Sequence, residues 1–268
     1  CFGKFLSNLF PSPPLTINAI IFILEKAMKL NFYIEFLTLG SFLFFLIINF
    51  INIEENNKTN RFIYLSYLLF IVFVNLIYYS LIYSSQTNSL YLVTSLLIVV
   101  FFIIHFIMSL FSKDYVRLRL LFIPFFFILI SFRYLTSFES NNSNNETILF
   151  EDNYLLIHIF SSLFSYTMLT ISAVSAFCVN IKGKFLKKIT YSNPFLNLLP
   201  SVYESEVISI KFLYFTAFFL TLSLISGFTY HNIEYNNFYF FFNNKVILSI
   251  VSLVLIFIFL IFHRLNGF

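Results

Sequence analysis

The chain has no tryptophan, five glycines, six prolines and two cysteines, and only 10% of its 268 residues are charged. Each shortage excludes something. Soluble domains carry about a quarter of charged residues, so this share, beside 59% hydrophobic residues, excludes an ordinary soluble domain. Five glycines leave no phosphate-cradling loop, and the HExxH and GxSxG patterns are both missing. The two cysteines, Cys1 and Cys178, form no CxxC pair, so a thiol-redox centre or a structural zinc site finds no support. Cys178 lies in an apolar run and reads as a small packing residue. Carboxylates are scarce inside the apolar runs, Glu35 being the clearest, whereas a proton relay or a charged-substrate path needs more intramembrane charge. The formal charge of +4 is small and dispersed, which argues against a nucleic-acid partner. Trp normally shares the membrane interfaces with Tyr; here 42 Phe and 17 Tyr stand without it. Abundant Phe, Ile, Asn and Lys fit AT-rich coding, so single phenylalanines are not read as functional.

What the chain does have is long apolar runs, with a mean hydropathy of +0.88. Spans are predicted at 32–53, 62–84, 89–112, 115–135, 154–181, 208–230 and 246–263. Most reach the roughly 20 residues needed to cross the hydrocarbon core. Barrel-type alternation is missing. The expected fold is all-α: a polytopic transmembrane helix bundle of about seven spans. The fourth is the weakest by composition, since Leu120 to Phe132 is short and holds Pro124; it needs Arg117, Arg119 and Arg133 to snorkel toward the interfaces. Met28 precedes the first span directly, so residues 1–27 are expected to be a non-native or upstream segment and 28–268 a single transmembrane domain. Leu15 to Leu24 is too short to span a bilayer.

Loop charges give an orientation. Lys113, Arg117 and Arg119 follow the third span, and Lys182, Lys184, Lys187 and Lys188 follow the fifth, so both loops are expected inside. Glu139, Glu146, Glu151 and Asp152 lie in an Asn/Ser-rich loop expected outside, as is the uncharged SSQTNS loop (Ser84 to Ser89).

The richest stretch is LLIHIFSSLFSYTMLTISAVSAFCVNIKGKFLKK, Leu155 to Lys188. On a helix of 3.6 residues per turn, Ser162, Ser165, Leu169, Ser172 and Ala176 fall within about 40° of His158. Small and hydroxyl residues gather where membrane helices pack together, so His158 is expected to point into a bundle or cavity. It is either a functional ionisable residue or a histidine that only bonds a neighbouring helix. With the orientation above, His158 and His231 fall at the outer side, and His105 and His263 toward the inner. Two imidazoles on opposite faces of a porphyrin can ligate haem iron, so the four could serve one haem near each face. The plainer alternatives stay open: His231, in the polar stretch YHNIEYNN, as a solvated loop residue, and His105, with Thr94 and Ser109 near its face, as a packing residue.

HIFSSLFSYTMLTISAVSAF (His158 to Phe177), LLPSVYESEVISIKFLYFTAFFLTLSLISGFTY (Leu198 to Tyr230) and the ending IFHRLNGF together resemble the cytochrome c assembly family. That family comprises CcsA, CcmC and HemX-like haem-handling membrane proteins, and the resemblance is nearest to its YpjD-type inner-membrane branch. It covers roughly 90–268, most specifically through the order H-x₆-SY, LLPS, LxSG and a final H-R before Gly. The resemblance implies a non-enzymatic membrane protein of the bacterial inner membrane that handles haem b in cytochrome c assembly or haem delivery. Its partners would be apocytochrome or other cytochrome-assembly membrane proteins. His158 matches the family's outer axial ligand, and His263, followed by a basic residue, matches its inner intramembrane histidine. His231 and His105 have no counterpart and rest on topology. The family's Trp-rich WWD segment is missing, and a further span after the Gly-aromatic motif is expected beyond Phe268. A divergent haem-binding or accessory role follows; an accessory subunit without haem and a small-molecule permease are the alternatives.

Overall fold

The computed structural model describes residues 33, 35–49, 58–84, 89–139, 152–187, 199–235 and 244–265. The expectations for residues 1–27 and for the last residues of the chain lie outside them. The described elements are helical: α1 Glu35–Ile48, α2 Lys58–Ser84, α3 Ser89–Phe111, α4 Lys113–Arg117, α5 Arg119–Glu139, α6 Asn153–Lys187, α7 Val202–Tyr235 and α8 Asn244–Leu265. Among the described residues, α2, α3, α5, α6, α7 and α8 are long and apolar enough to cross a membrane. The first predicted span, 32–53, is described from Glu35 to Ile48 as a shorter apolar helix. With backbone bonds satisfied inside each helix and lipid-type side chains such as Phe36, Phe127, Leu248 and Leu255 turned outward, this is an all-α multi-pass membrane bundle.

The weak fourth span is two helices rather than one. Ser112 caps α4, its hydroxyl accepting from the Tyr115 amide at 3.2 Å, and the chain turns at Leu118 before α5 begins. Pro124 then sits early in α5, where it leaves one carbonyl without its intrahelical partner. Two of the three arginines do not snorkel. Arg119 is buried and its Nε donates to the Asn49 carbonyl at 3.0 Å; Arg133 is buried as well. Both guanidiniums lie among protein groups rather than at the surface of the bundle.

Two regions build the interior. In the first, Phe42, Phe45, Phe101, Phe102, Phe122 and Phe126 from α1, α3 and α5 interlock around His105. Phe102 and Phe126 stack at 4.6 Å, and Phe45 meets Phe126 edge-on at 4.7 Å. In the second, α6 and α7 form an antiparallel hairpin. Its cross-links run in strict counter-order: His158 with Ser223, Ser172 with Ser209, Cys178 with Ser205, Lys182 with Leu199. Small residues let the two backbones approach. The buried positions Ser205, Ser209, Phe212, Thr216, Ser223 and Ser226 on α7 fall at alternating steps of three and four, with Phe219 completing the row. On α6, Ser161, Ser165, Ser172 and Ser175 follow the same 3.5-residue row at steps of four, seven and three.

That 3.5-residue seam corrects the stripe drawn at 3.6. Leu169 and Ala176, placed near the His158 face by ideal helix geometry, are exposed; Ser161 and Ser175 are buried instead. A pair of helices that stay in contact over many turns must follow the 3.5 repeat, and the drift accumulates along α6.

Candidate functional site at the α6–α7 seam

His158 sits in the second turn of α6, and its ring lies against α7. Nδ1 is 2.7 Å from the Ser223 carbonyl oxygen and 3.2 Å from the Ser223 hydroxyl. A carbonyl can only accept, so Nδ1 carries the hydrogen and the neutral ring keeps its lone pair on Nε2. Among the described residues Nε2 has no hydrogen-bond partner. A backbone carbonyl on the far nitrogen fixes the tautomer and raises the basicity of the other, which is how metal-ligating imidazoles are commonly held.

Gly227 makes the approach possible. A β-carbon there would lie 2.8 Å from Nδ1 and 2.9 Å from Cε1 of His158, inside contact distance. The other helical glycines described, Gly40 and Gly183, would meet nothing within 4 Å. Gly227 is the glycine of the LxSG block, and the block by itself assigns it no role. A glycine inside an apolar helix is about 1 kcal/mol worse than alanine and so is a candidate for a close approach, but Gly40 and Gly183 carry the same signal, and among the described helical glycines it is the packing that singles out Gly227. Ser223 was missed too, because the register of the hairpin, not any local motif, sets it opposite His158.

His231 lies four residues beyond Gly227, on the same side of α7 and about 6 Å further along the axis. Expected as a loop residue, it is half-buried within the helix, since α7 continues to Tyr235. His158 and His231 thus share one end of the seam.

The other two histidines are at the opposite end. His105 is fully buried, with Nε2 2.9 Å from the Tyr64 hydroxyl and Nδ1 2.9 Å from the Tyr115 hydroxyl. One nitrogen donates and the other accepts, so both are engaged whichever tautomer is present. Phe101 and Phe122 pack on the ring. Tyr115 in turn touches Phe212, in the first third of α7. That contact sets His105 toward the start of α7, away from His158. His263, in the last turn of α8, has Nε2 3.4 Å from Glu206 Oε1. Glu206 follows directly on a capping box, in which the Ser201 hydroxyl accepts from the Glu204 amide at 3.1 Å and Glu204 Oε2 accepts from the Ser201 amide at 2.8 Å. The LLPSVYESE segment therefore both starts α7 and holds His263. Among the described residues no three His, Cys, Asp or Glu side chains converge. That is no set for a bare ion, whereas a porphyrin iron takes only one or two protein ligands.

The bundle and its seated histidine define a multi-pass membrane protein with imidazoles held at both ends of a helical hairpin. The chain belongs to the cytochrome c assembly protein family, whose description matches residues 61–267. The match begins earlier than the resemblance at 90–268, taking in α2 and its Tyr64 as well as the hairpin. Comparisons with curated proteins and with solved structures gave no match.

Proposed function

We propose that the protein binds haem through His158 and presents it during cytochrome c assembly, by holding and orienting the group rather than by turnover. The observation that carries this is the bond from Nδ1 to the Ser223 carbonyl, which leaves the Nε2 lone pair for a metal. Gly227 supports it by seating the ring. His231, one turn further on the same face of α7, is the candidate second ligand at that end. The group would be haem b, which brings its own iron and conjugated ring; the chain's part is to supply nitrogen, fix its tautomer and shield the site with apolar helices. His263 is the candidate ligand at the opposite end, and its partner there, His105, would have to release a tyrosine to ligate. The setting would be a bacterial inner membrane, with apocytochrome or other assembly proteins as acceptors. The lack of tryptophan favours one other reading, an accessory subunit that keeps the scaffold without haem.

The test is to purify the protein with haem supplied and to measure the Soret band, the reduced-minus-oxidised spectrum and the haem-to-protein ratio. His158→Ala should remove most of the haem at its end, since alanine offers no lone pair. Ser165→Ala, a buried packing change in the same seam, should keep most of it. His263→Ala should weaken a separate haem and leave the His158 spectrum intact. Wild-type protein that takes up no haem would leave the accessory reading standing.

A further inference from the structure

At the His158 end of the bundle, the outer parts of α1, α3 and α5 form a shallow open cleft lined by Glu35, Leu39, Tyr91, Ile130, Arg133 and Tyr134. Arg133 is 5% exposed. Its Nη2 donates to the Thr38 hydroxyl at 3.3 Å, and its guanidinium lies 4.6 Å from the centre of the Tyr78 ring and 5.7 Å from that of Phe42. Among the described residues it forms no ion pair and no other hydrogen bond. Glu35, on the facing wall, is engaged elsewhere: the Tyr78 hydroxyl donates to its Oε1 at 3.5 Å and also bonds the Tyr91 hydroxyl.

Aromatic faces answer a cation only weakly, while removing a guanidinium from water is costly unless a charge answers it. A buried arginine with open donors beside a cleft is therefore half of an ion pair. Leu39 and Tyr134 are exposed on the outward, apolar surface, so the cleft opens toward lipid. What enters from there has an apolar body and a charged end. We propose that this cleft binds the carboxylate end of an amphiphile, with Arg133 as its counter-ion and the tyrosine hydroxyls of Tyr78 and Tyr91 as neighbouring polar groups. Two molecules bring that chemistry to this end of the bundle: a fatty acid of the bilayer and the propionates of a porphyrin. The proposal stands independently of iron ligation at His158.

The full chain in detergent is titrated with nitroxide-labelled stearic acid and its methyl ester, and separately with haemin and haemin dimethyl ester. The acid should show an immobilised spectral component and the ester should not. Arg133→Gln should weaken binding of the acid form about tenfold, the loss of a charge-assisted bond, and Arg133→Lys should restore most of it. Glu35→Gln should tighten it, because a facing negative charge is removed. If the fatty acid is the source, these effects appear with stearate alone; if the porphyrin is, Arg133→Gln weakens haemin but not its diester. His158→Ala should leave the stearate result unchanged, which separates this site from the iron ligand. Equal binding of acid and ester in both pairs would overturn the proposal. So would weaker acid binding in Glu35→Gln, which would make Glu35 the natural counter-ion of Arg133.

Discussion

His105 and His158 are both set between helices, yet their surroundings leave them with opposite capacities. Around His105 the neighbours are large and rigid, and two tyrosines saturate both ring nitrogens. Around His158 they are small, and one carbonyl takes Nδ1 while Nε2 stays open. The difference lies in side-chain size at the interface. Phenylalanines fill space and hold helices apart at ring thickness, so only long polar side chains such as tyrosine reach a buried imidazole. Serine and glycine bring backbones together, so the backbone itself becomes the partner, and a backbone carbonyl can engage only one nitrogen.

Three measurements would break or sharpen that contrast. The largest effect belongs to His105→Phe. It strands two tyrosine hydroxyls in an apolar core, which should lower stability by about 2–4 kcal/mol and the melting temperature with it. Haem uptake at the proposed His158 site should be unchanged; a stable variant would show that the tyrosine bonds contribute little.

Gly227→Ala should do the reverse. Alanine is the better helix former by about 1 kcal/mol, so the fold should hold or gain. The added methyl must displace the His158 ring from Ser223, and haem affinity should fall about tenfold, or about 1.4 kcal/mol. Unaltered affinity with intact fold would remove Gly227 from the site.

The smallest effect is expected from the pair Ser172→Ala and Ser209→Ala together. The two hydroxyls donate reciprocally to each other's backbone carbonyls at 2.9 and 3.1 Å. Such bonds between membrane helices average about 0.6 kcal/mol, and removing both hydroxyls at once leaves no lone donor. Thermal stability of the double variant in detergent should barely move. A loss as large as that of His105→Phe would mean that the seam is held by its hydroxyls rather than by close packing.

The helices were legible where composition alone decides them. Runs such as SLYLVTSLLIVVFFIIHFIMSLF can satisfy their backbone in lipid only as helices, and α3 follows that run from Ser89 to Phe111. The break at Leu118 was less legible, since the five-residue α4 that it separates from α5 lies inside what hydropathy reads as one approach to a span. At the site, His158 stood out as an ionisable residue in an apolar run with serines one turn apart. Ser223 did not, because nothing in its own surroundings distinguishes it from Thr221 or Ser226.

The sequence by itself determined the class of molecule. A chain with 59% hydrophobic residues and scarcely any intramembrane charge has no low-energy alternative to a helical membrane bundle, and the order of its blocks carries the family. The tertiary structure decided which nitrogen of which histidine is open. That outcome depends on a helix register that pairs residues 65 apart in the chain, on a gap one methyl wide at Gly227, and on the 3.5-residue seam that turned Leu169 outward and Ser175 in. Local propensity does not contain such quantities. They arise only when two helices settle against each other at the distance their smallest side chains allow.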